Sequence, residues 1–484
     1  VNVLGYMQDR GGVRNTPLIL FQFLTVSLLV ALGYSRYGLP GAVVAAGGIL
    51  FVLFAAWRSE TFPILFLLYI GLFETRVFSE QFAVIPFYFS EKTIPVFLIP
   101  AFIVLLLERS HAPARPDPGV GGGTEPVGVI VALFLTWALA SAFIGLGIGH
   151  KPVTVGMELR LYSLFLAYFL WRSLFRWKQK IQWWMNVVAV VSVLVAIEYI
   201  ILIVSVYTDI VTFVLFRNIT RQSQMIIAGL PILLSIFLIY KQVWIRSGVI
   251  LSVLLLMAQA FLSQQRIIWL TFALMLFIYA TLFSFRKGLS LRTFGRWLSM
   301  VLITLGASAG VLFLAAWLFN TDISILLTRW EQVQSLTDPS FKMRVYDARN
   351  AIEMVGSHYL TGLGVGAELQ AVPLGYYFFF FDVSYLVAFF KGGVPFAALL
   401  VLIYLGGIFR AAQVYFKAVG KVEQLLAMSI ITALTGQLLS GVTTVSMIYY
   451  RFTFIWMLLV AAAVVLHENL KRQQVKELSG VGTP

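Results

Sequence analysis

Arg217, Arg221, Arg266 and Arg344 are the side chains of this sequence best suited to hold a phosphate. A guanidinium grips phosphate oxygens through parallel N–H bonds and stays charged at physiological pH. The first three stand at helix ends on the expected outer face of a membrane, where each also suits a lipid headgroup. Arg344 falls beside the apolar stripe of an expected surface helix, aimed at the bundle mouth, and can alternatively pair with Asp347 or a lipid phosphate. Shortly after comes His358-Tyr359-Leu360-Thr361-Gly362-Leu363-Gly364-Val365-Gly366. Glycine at 362, 364 and 366 suits a tight backbone turn close to a ligand. The strand–turn–helix frame of a dinucleotide fingerprint is missing. The aromatic run Tyr376-Tyr377-Phe378-Phe379-Phe380-Phe381 reads as an interfacial belt, with sugar stacking as a secondary use. Asp382 then opens a span with Val383, Ser384 and Tyr385, and a carboxylate in a helix's first turn is favoured by the helix dipole alone. Glu158, Arg160, Glu198 and Lys391 sit in apolar stretches, so an internal ion pair of Lys391 with Glu158 or Glu198 is expected.

The elements that carry these residues are membrane helices. Of the 484 residues 60% are hydrophobic and 12% charged, with a mean hydropathy of +0.90. A soluble domain carries about 25% charged residues. In lipid, backbone polar groups must pair internally, which leaves helices or closed barrels. The apolar runs are continuous and near the length that spans a bilayer, without the alternation of barrel strands, so an all-α polytopic bundle follows. Fourteen spans are expected: 17–35, 39–57, 62–78, 93–109, 127–147, 155–175, 182–206, 222–240, 247–264, 266–284, 297–319, 382–408, 423–446 and 449–467. The third is short and interrupted, so the range is twelve to fourteen. Tyr34-Ser35-Arg36 after the first run is no cleavage site, and the first helix is expected to remain as an anchor.

Charge orients the bundle. With the N-terminus cytoplasmic, 21 of the 35 Lys and Arg fall on the inner side and eight in the short outer loops. Arg329, Lys342, Arg344 and Arg349 occupy the long loop, and Arg160 and Lys391 lie within spans. This split obeys the positive-inside rule and accounts for most of the +14 net charge without invoking nucleic acid. The chain has no cysteine, its four histidines lack metal-ligand spacing, and no Walker-type glycine loop occurs. Neither metal nor cofactor is expected. Residues 1–484 read as one integral membrane domain.

Within it, residues 320–381 form the one large loop, facing the periplasm. Asp338-Pro339-Ser340 starts a helix there. Phe341, Val345, Ala348, Ile352 and Val355 share one face, with Lys342, Arg349, Asn350 and Glu353 opposite, so the helix is expected to lie flat at the membrane surface or to cap the bundle.

In order along the chain stand Arg217, Arg266, Arg344-x-x-Asp347-Ala348, Gly362-Leu363-Gly364-Val365-Gly366, and a span opening on Asp382 that carries Gly392-Gly393. From Arg217 to near Ile408 this resembles the O-antigen ligase and O-antigen polymerase superfamily of bacterial envelope glycosyltransferases. Asp382-Val383 stands where the ligases have a histidine and usually an asparagine, Phe396 where a small residue is usual, and Tyr359 where a proline is usual. These departures favour the polymerase branch. The resemblance implies a helical membrane fold of the GT-C-like kind and a multi-pass inner-membrane enzyme with its site on the periplasmic side. It implies metal-independent, inverting transfer of oligosaccharide from undecaprenyl pyrophosphate to a sugar hydroxyl of a second lipid-linked unit, building O-antigen, capsule or exopolysaccharide. Arg217, Arg221, Arg266 and Arg344 would hold the pyrophosphate, with Gly362, Gly364, Gly366 and Tyr385 lining the site. Asp382, then Glu368 or His358, would take the hydroxyl proton. Membrane lipids and a chain-length regulator are the implied partners. The alternatives are a ligase transferring glycan to lipid A–core and, in another class, a lipid-linked oligosaccharide flippase or other transporter.

Overall fold

The first described helix shows how the sequence sets its own boundaries. Pro126 sits at N1, where its missing N–H costs nothing, and the Glu125 carboxylate caps the helix by accepting from Gly128 N at 2.8 Å. Gly149, with φ 101°, closes the other end in the left-handed conformation that suits glycine. The computed structural model describes residues 125–178, 180–206, 224–263, 266–286, 339–371, 376–378 and 383–478 apart from 443, 445–446 and 449, with four isolated positions at 295, 299, 306 and 310. Expected spans one to four, all but isolated positions of span eleven, and the residues Arg217, Arg221 and Asp382 lie outside them. For Arg266 and Glu198 the backbone alone is described.

In chain order the helices are α1 Pro126–Ile148, α2 Pro152–Ser163, α3 Ala167–Lys178, α4 Ile181–Val206, α5 Met225–Ile239, α6 Val243–Leu262 and α7 Arg266–Arg286. Then come α8 Pro339–Val355, α9 Ser384–Lys417, α10 Lys421–Ser440 and α11 Tyr450–Leu478. A 3-10 turn, Leu164–Leu166, joins α2 to α3, so the expected sixth span is one interrupted helix. Nine of the fourteen expected spans therefore fall on described helices. Among the described residues, seven helical stretches are long and apolar enough to cross a membrane: Pro126–Ile148, Pro152–Arg176, Val243–Ala260, Ile267–Arg286, Ser384–Lys417, Lys421–Ser440 and Phe452–Val475.

The helices run up and down, as contacts between their ends show. At one end Lys421 Nζ donates to Leu238 O at 2.9 Å, Gln182 Nε2 to Tyr240 OH at 3.3 Å, and Tyr415 OH to Leu282 O. Arg172 and Arg176 both grip Glu468, at 2.6 and 2.5 Å, and Arg410 lies 3.4 Å from Glu125. Arg286, Lys417, Lys471 and Arg472 belong to the same end, which we call the basic end. At the opposite, loop end, Gln224 Nε2 donates to Thr444 Oγ1 at 2.8 Å and Ser384 N to Gly441 O at 3.0 Å. The core centres on α11. Phe454 through Val465 are fully buried, the pattern of a helix apolar all round. On α1, by contrast, Leu133, Leu139 and Phe143 are exposed along one face.

The surface helix α8 lies where expected but is rotated. Val345 and Ile352 are 53% and 57% exposed, while Ala351 and Val355 are buried. At 100° per residue, Arg344 falls between Ala351 and Val355, at the centre of the inward face. The helix packs against α9 and the strand that follows through small side chains, and the bulky apolar residues turn outward. One further departure is a two-stranded antiparallel ribbon. Strand β1, Leu369–Ala371, pairs with β2, Tyr376–Phe378, in the register Leu369↔Phe378 and Ala371↔Tyr376. The start of the expected aromatic belt is thus a strand, in keeping with the fit of aromatics on a pleated surface.

Candidate functional site

The site begins with a broken helix. In α9 the sequence Gly392-Gly393-Val394-Pro395 interrupts the helical ladder. Pro395 offers no N–H to Lys391 O, and Gly393 adopts φ 72°, ψ −171°, a conformation for glycine alone. Backbone groups left open inside a membrane bundle cost free energy until something else pairs with them. Here residues 359–364 and α1 do so. Leu363 N donates to Phe390 O and Gly364 N to Lys391 O, both at 2.9 Å, and Val394 N donates to Tyr359 O at 2.8 Å. From α1, Ser141 Oγ donates to Lys391 O and Trp137 Nε1 to Gly392 O, both at 2.7 Å.

The glycine-rich segment that supplies these bonds is threaded between α1, α2 and α9. Gly362, Gly364 and Gly366 have φ of 63°, 84° and 96°. A Cβ on Gly362 would lie 2.6 Å from Lys391 C, one on Gly364 2.5 Å from Gly145 Cα, and one on Gly366 2.7 Å from Val155 Cγ2. The close neighbours of these three positions are this chain's own helices. Val365 N donates to Ser141 O at 3.0 Å. His150 Nε2 lies 2.9 Å from Leu363 O, and since a carbonyl only accepts, that ring nitrogen carries the proton.

Below the segment lies a buried ion pair. Lys391 Nζ is 2.7 Å from Glu158 Oε1, with the two side chains 0% and 3% exposed. Of the two carboxylates expected as partners of Lys391, Glu158 takes the role. Its second oxygen accepts from Gly366 N at 2.9 Å, and Lys391 Nζ also donates to Ala367 O. Ion pairs this deep persist where further hydrogen bonds compensate the lost hydration. Glu368 follows directly, half-buried, close enough for its charge to act on Lys391, as the His150 ring acts on Glu158.

The structure thus gathers Glu368, the three glycines, Lys391, Glu158 and His150 at the loop end. Arg344 is half-buried on the inward face of α8, which packs on α9 and β1. His358, at the end of α8, is exposed. Tyr385 is half-buried and donates to Leu438 O, which engages it with α10. Arg266 opens α7 at the same end. Phe396 stacks on Phe134 at 4.5 Å and meets Tyr162 edge-on at 5.1 Å, filling the space of the small residue that the resemblance leads one to expect. Ser141, Trp137 and His150 were not among the expected site residues. Ser141 and Trp137 lie inside an ordinary apolar span with nothing to mark them. His150 does follow the left-handed Gly149, a position that brings a polar residue to the bundle's end.

No protein-family model matches this chain, and no curated protein matches it.

Proposed function

We propose that this chain is an outward-facing membrane glycosyltransferase that extends a glycan held on undecaprenyl pyrophosphate. The observation that carries the reading is the insertion of the described part of the long inter-span segment into one end of the bundle. It turns Arg344 inward and seats Glu368 beside a buried, charged cluster. That end is opposite the basic one, so the positive-inside rule favours the outer face for it. In the reaction, a sugar hydroxyl of one lipid-linked unit attacks the anomeric carbon of another. Glu368 or Asp382 takes the hydroxyl proton, the new glycosidic bond forms, and the bond to the pyrophosphate breaks with inversion. Undecaprenyl pyrophosphate leaves with the charge that Arg344, Arg266, Arg217 and Arg221 would stabilise in a low-dielectric mouth.

The test is incubation of the pure protein with a synthetic undecaprenyl-pyrophosphate repeat unit. A ladder of products is expected. A single transfer to lipid A–core would make it a ligase, and no glycosidic product would end the reading. One observation favours a second reading, export of the lipid-linked unit. Transporters place broken helices and intramembrane charges at their binding sites, and α9 has both in Gly393 and Lys391. Translocation of the labelled lipid across proteoliposomes without chain growth would select it.

A further inference from the structure

We infer that Glu158 and Lys391 form a two-point clamp whose task is to seat residues 363–368, which makes them positioning residues for Glu368. Each charged group divides its bonds between its partner and the segment. Glu158 accepts from Lys391 Nζ at 2.7 Å and from Gly366 N at 2.9 Å, while Lys391 donates to Glu158 and to Ala367 O. The two segment groups come from neighbouring residues and have opposite polarity. An acceptor on α2 and a donor on α9 satisfy them, and the reverse arrangement satisfies neither. The carbonyl of Ala367 belongs to the peptide bond that ends at the Glu368 nitrogen, so Lys391 holds the link to the candidate base itself. His150 fixes the preceding turn at Leu363 O, at 2.9 Å. Glue between α2 and α9 alone would not call for charge. Apolar side chains of similar volume hold helices together as well as a buried ion pair, or better. What they cannot do is engage a passing N–H and C=O.

The clamp itself is independent of the proposed reaction, and only the role of Glu368 rests on that reading. The chain contains no cysteine, so a single introduced thiol reports cleanly. Ala367 is 2% exposed, and Ala367→Cys places the thiol under the clamp. Its reaction rate with N-ethylmaleimide is measured on the full chain in detergent, in three backgrounds. These are the unchanged pair, the exchanged pair (Glu158→Lys with Lys391→Glu) and an apolar pair (Glu158→Leu with Lys391→Met). Labelling is expected to accelerate at least about tenfold in both altered backgrounds, since each loses a charge-assisted bond that opposes local opening. The apolar pair decides the matter if the exchanged pair fails to fold. Labelling as slow as with the unchanged pair, in a variant that runs as a single species on gel filtration, overturns the clamp. In glycan transfer, kcat is expected to fall with the donor KM unchanged, and an unchanged kcat alongside fast labelling overturns the positioning of Glu368. Absence of transfer by the unaltered protein would sink the proposed reaction while the labelling rates still read the clamp.

Discussion

Three glycine-to-alanine exchanges separate the strain of a backbone conformation from the strain of a close contact. Gly364 has φ 84°, and a Cβ there would lie 2.5 Å from Gly145 Cα and 3.1 Å from Ile144 C. Both are backbone atoms of a packed helix, so no side chain can swing aside. Gly149 has φ 101°, but nothing lies within 4 Å of its would-be Cβ. Gly156 lies in the helical run of α2, with nothing within 4 Å either. Left-handed backbone costs an alanine about 1–2 kcal/mol at either of the first two positions. Overpacking adds about 1–3 kcal/mol at Gly364 alone. Gly156→Ala instead gains about 0.5–1 kcal/mol from reduced chain entropy. The expected order of stability is Gly156→Ala above the unaltered protein, then Gly149→Ala, then Gly364→Ala, the last two about 1–3 kcal/mol apart. Unfolding of the purified protein in mixed detergent micelles, followed by tryptophan fluorescence, measures these differences. Equal destabilisation by Gly149→Ala and Gly364→Ala would refute the claim that the segment is pressed against α1.

Lys391→Met leaves the Glu158 carboxylate buried without its counter-ion, an expected loss of about 3–5 kcal/mol, and adding Glu158→Leu should restore part of it, the rest being the bonds lost to Gly366 N and Ala367 O. A double variant as unstable as the single one in the same unfolding assay would contradict this. Trp137→Phe removes the donor to Gly392 O and should cost about 1–3 kcal/mol, with a Phe variant of unchanged stability counting against the bond. At the basic end, Glu468→Gln takes the carboxylate from both Arg172 and Arg176, and thermal unfolding should show a loss of about 1.5–3 kcal/mol. On the proposed reaction, Arg344→Ala should lower transfer by about a hundredfold or more, as read from initial rates on the synthetic repeat unit.

The helical spans were legible because each is a continuous apolar run bounded by proline, glycine or charge. Pro126 and Gly149 mark α1, and Pro152 marks the start of α2. The partner of Lys391 was legible as a choice of two carboxylates, since a lone ammonium has no place among Leu and Phe. Which carboxylate takes the role depends on how α2 faces α9, and a one-dimensional pattern does not contain that. The face of α8 was misread for a related reason. Hydrophobicity nominated Val345 and Ile352, but close approach to α9 and β1 selects small residues such as Ala351. That the glycine triplet packs against α1, α2 and α9 was not legible, because positive φ and missing side chains look alike in sequence whether the neighbour is substrate or backbone. The contacts of Phe396 with Phe134 and Tyr162 join α9 to two helices more than 200 residues earlier, and only the fold brings them together.

The break in α9 also constrains how the polypeptide is made. Its open carbonyls at Phe390 and Lys391 are met by Leu363 and Gly364, which leave the ribosome just before it, and those at Lys391 and Gly392 by Ser141 and Trp137, which left much earlier. During insertion, the break in α9 therefore arrives with its partners from residues 359–364 and α1 already synthesised. Residues 359–364 must then fold back to meet it. A chain terminated between Gly364 and Ser384 would keep a half-built end, its donors left without the helix they serve.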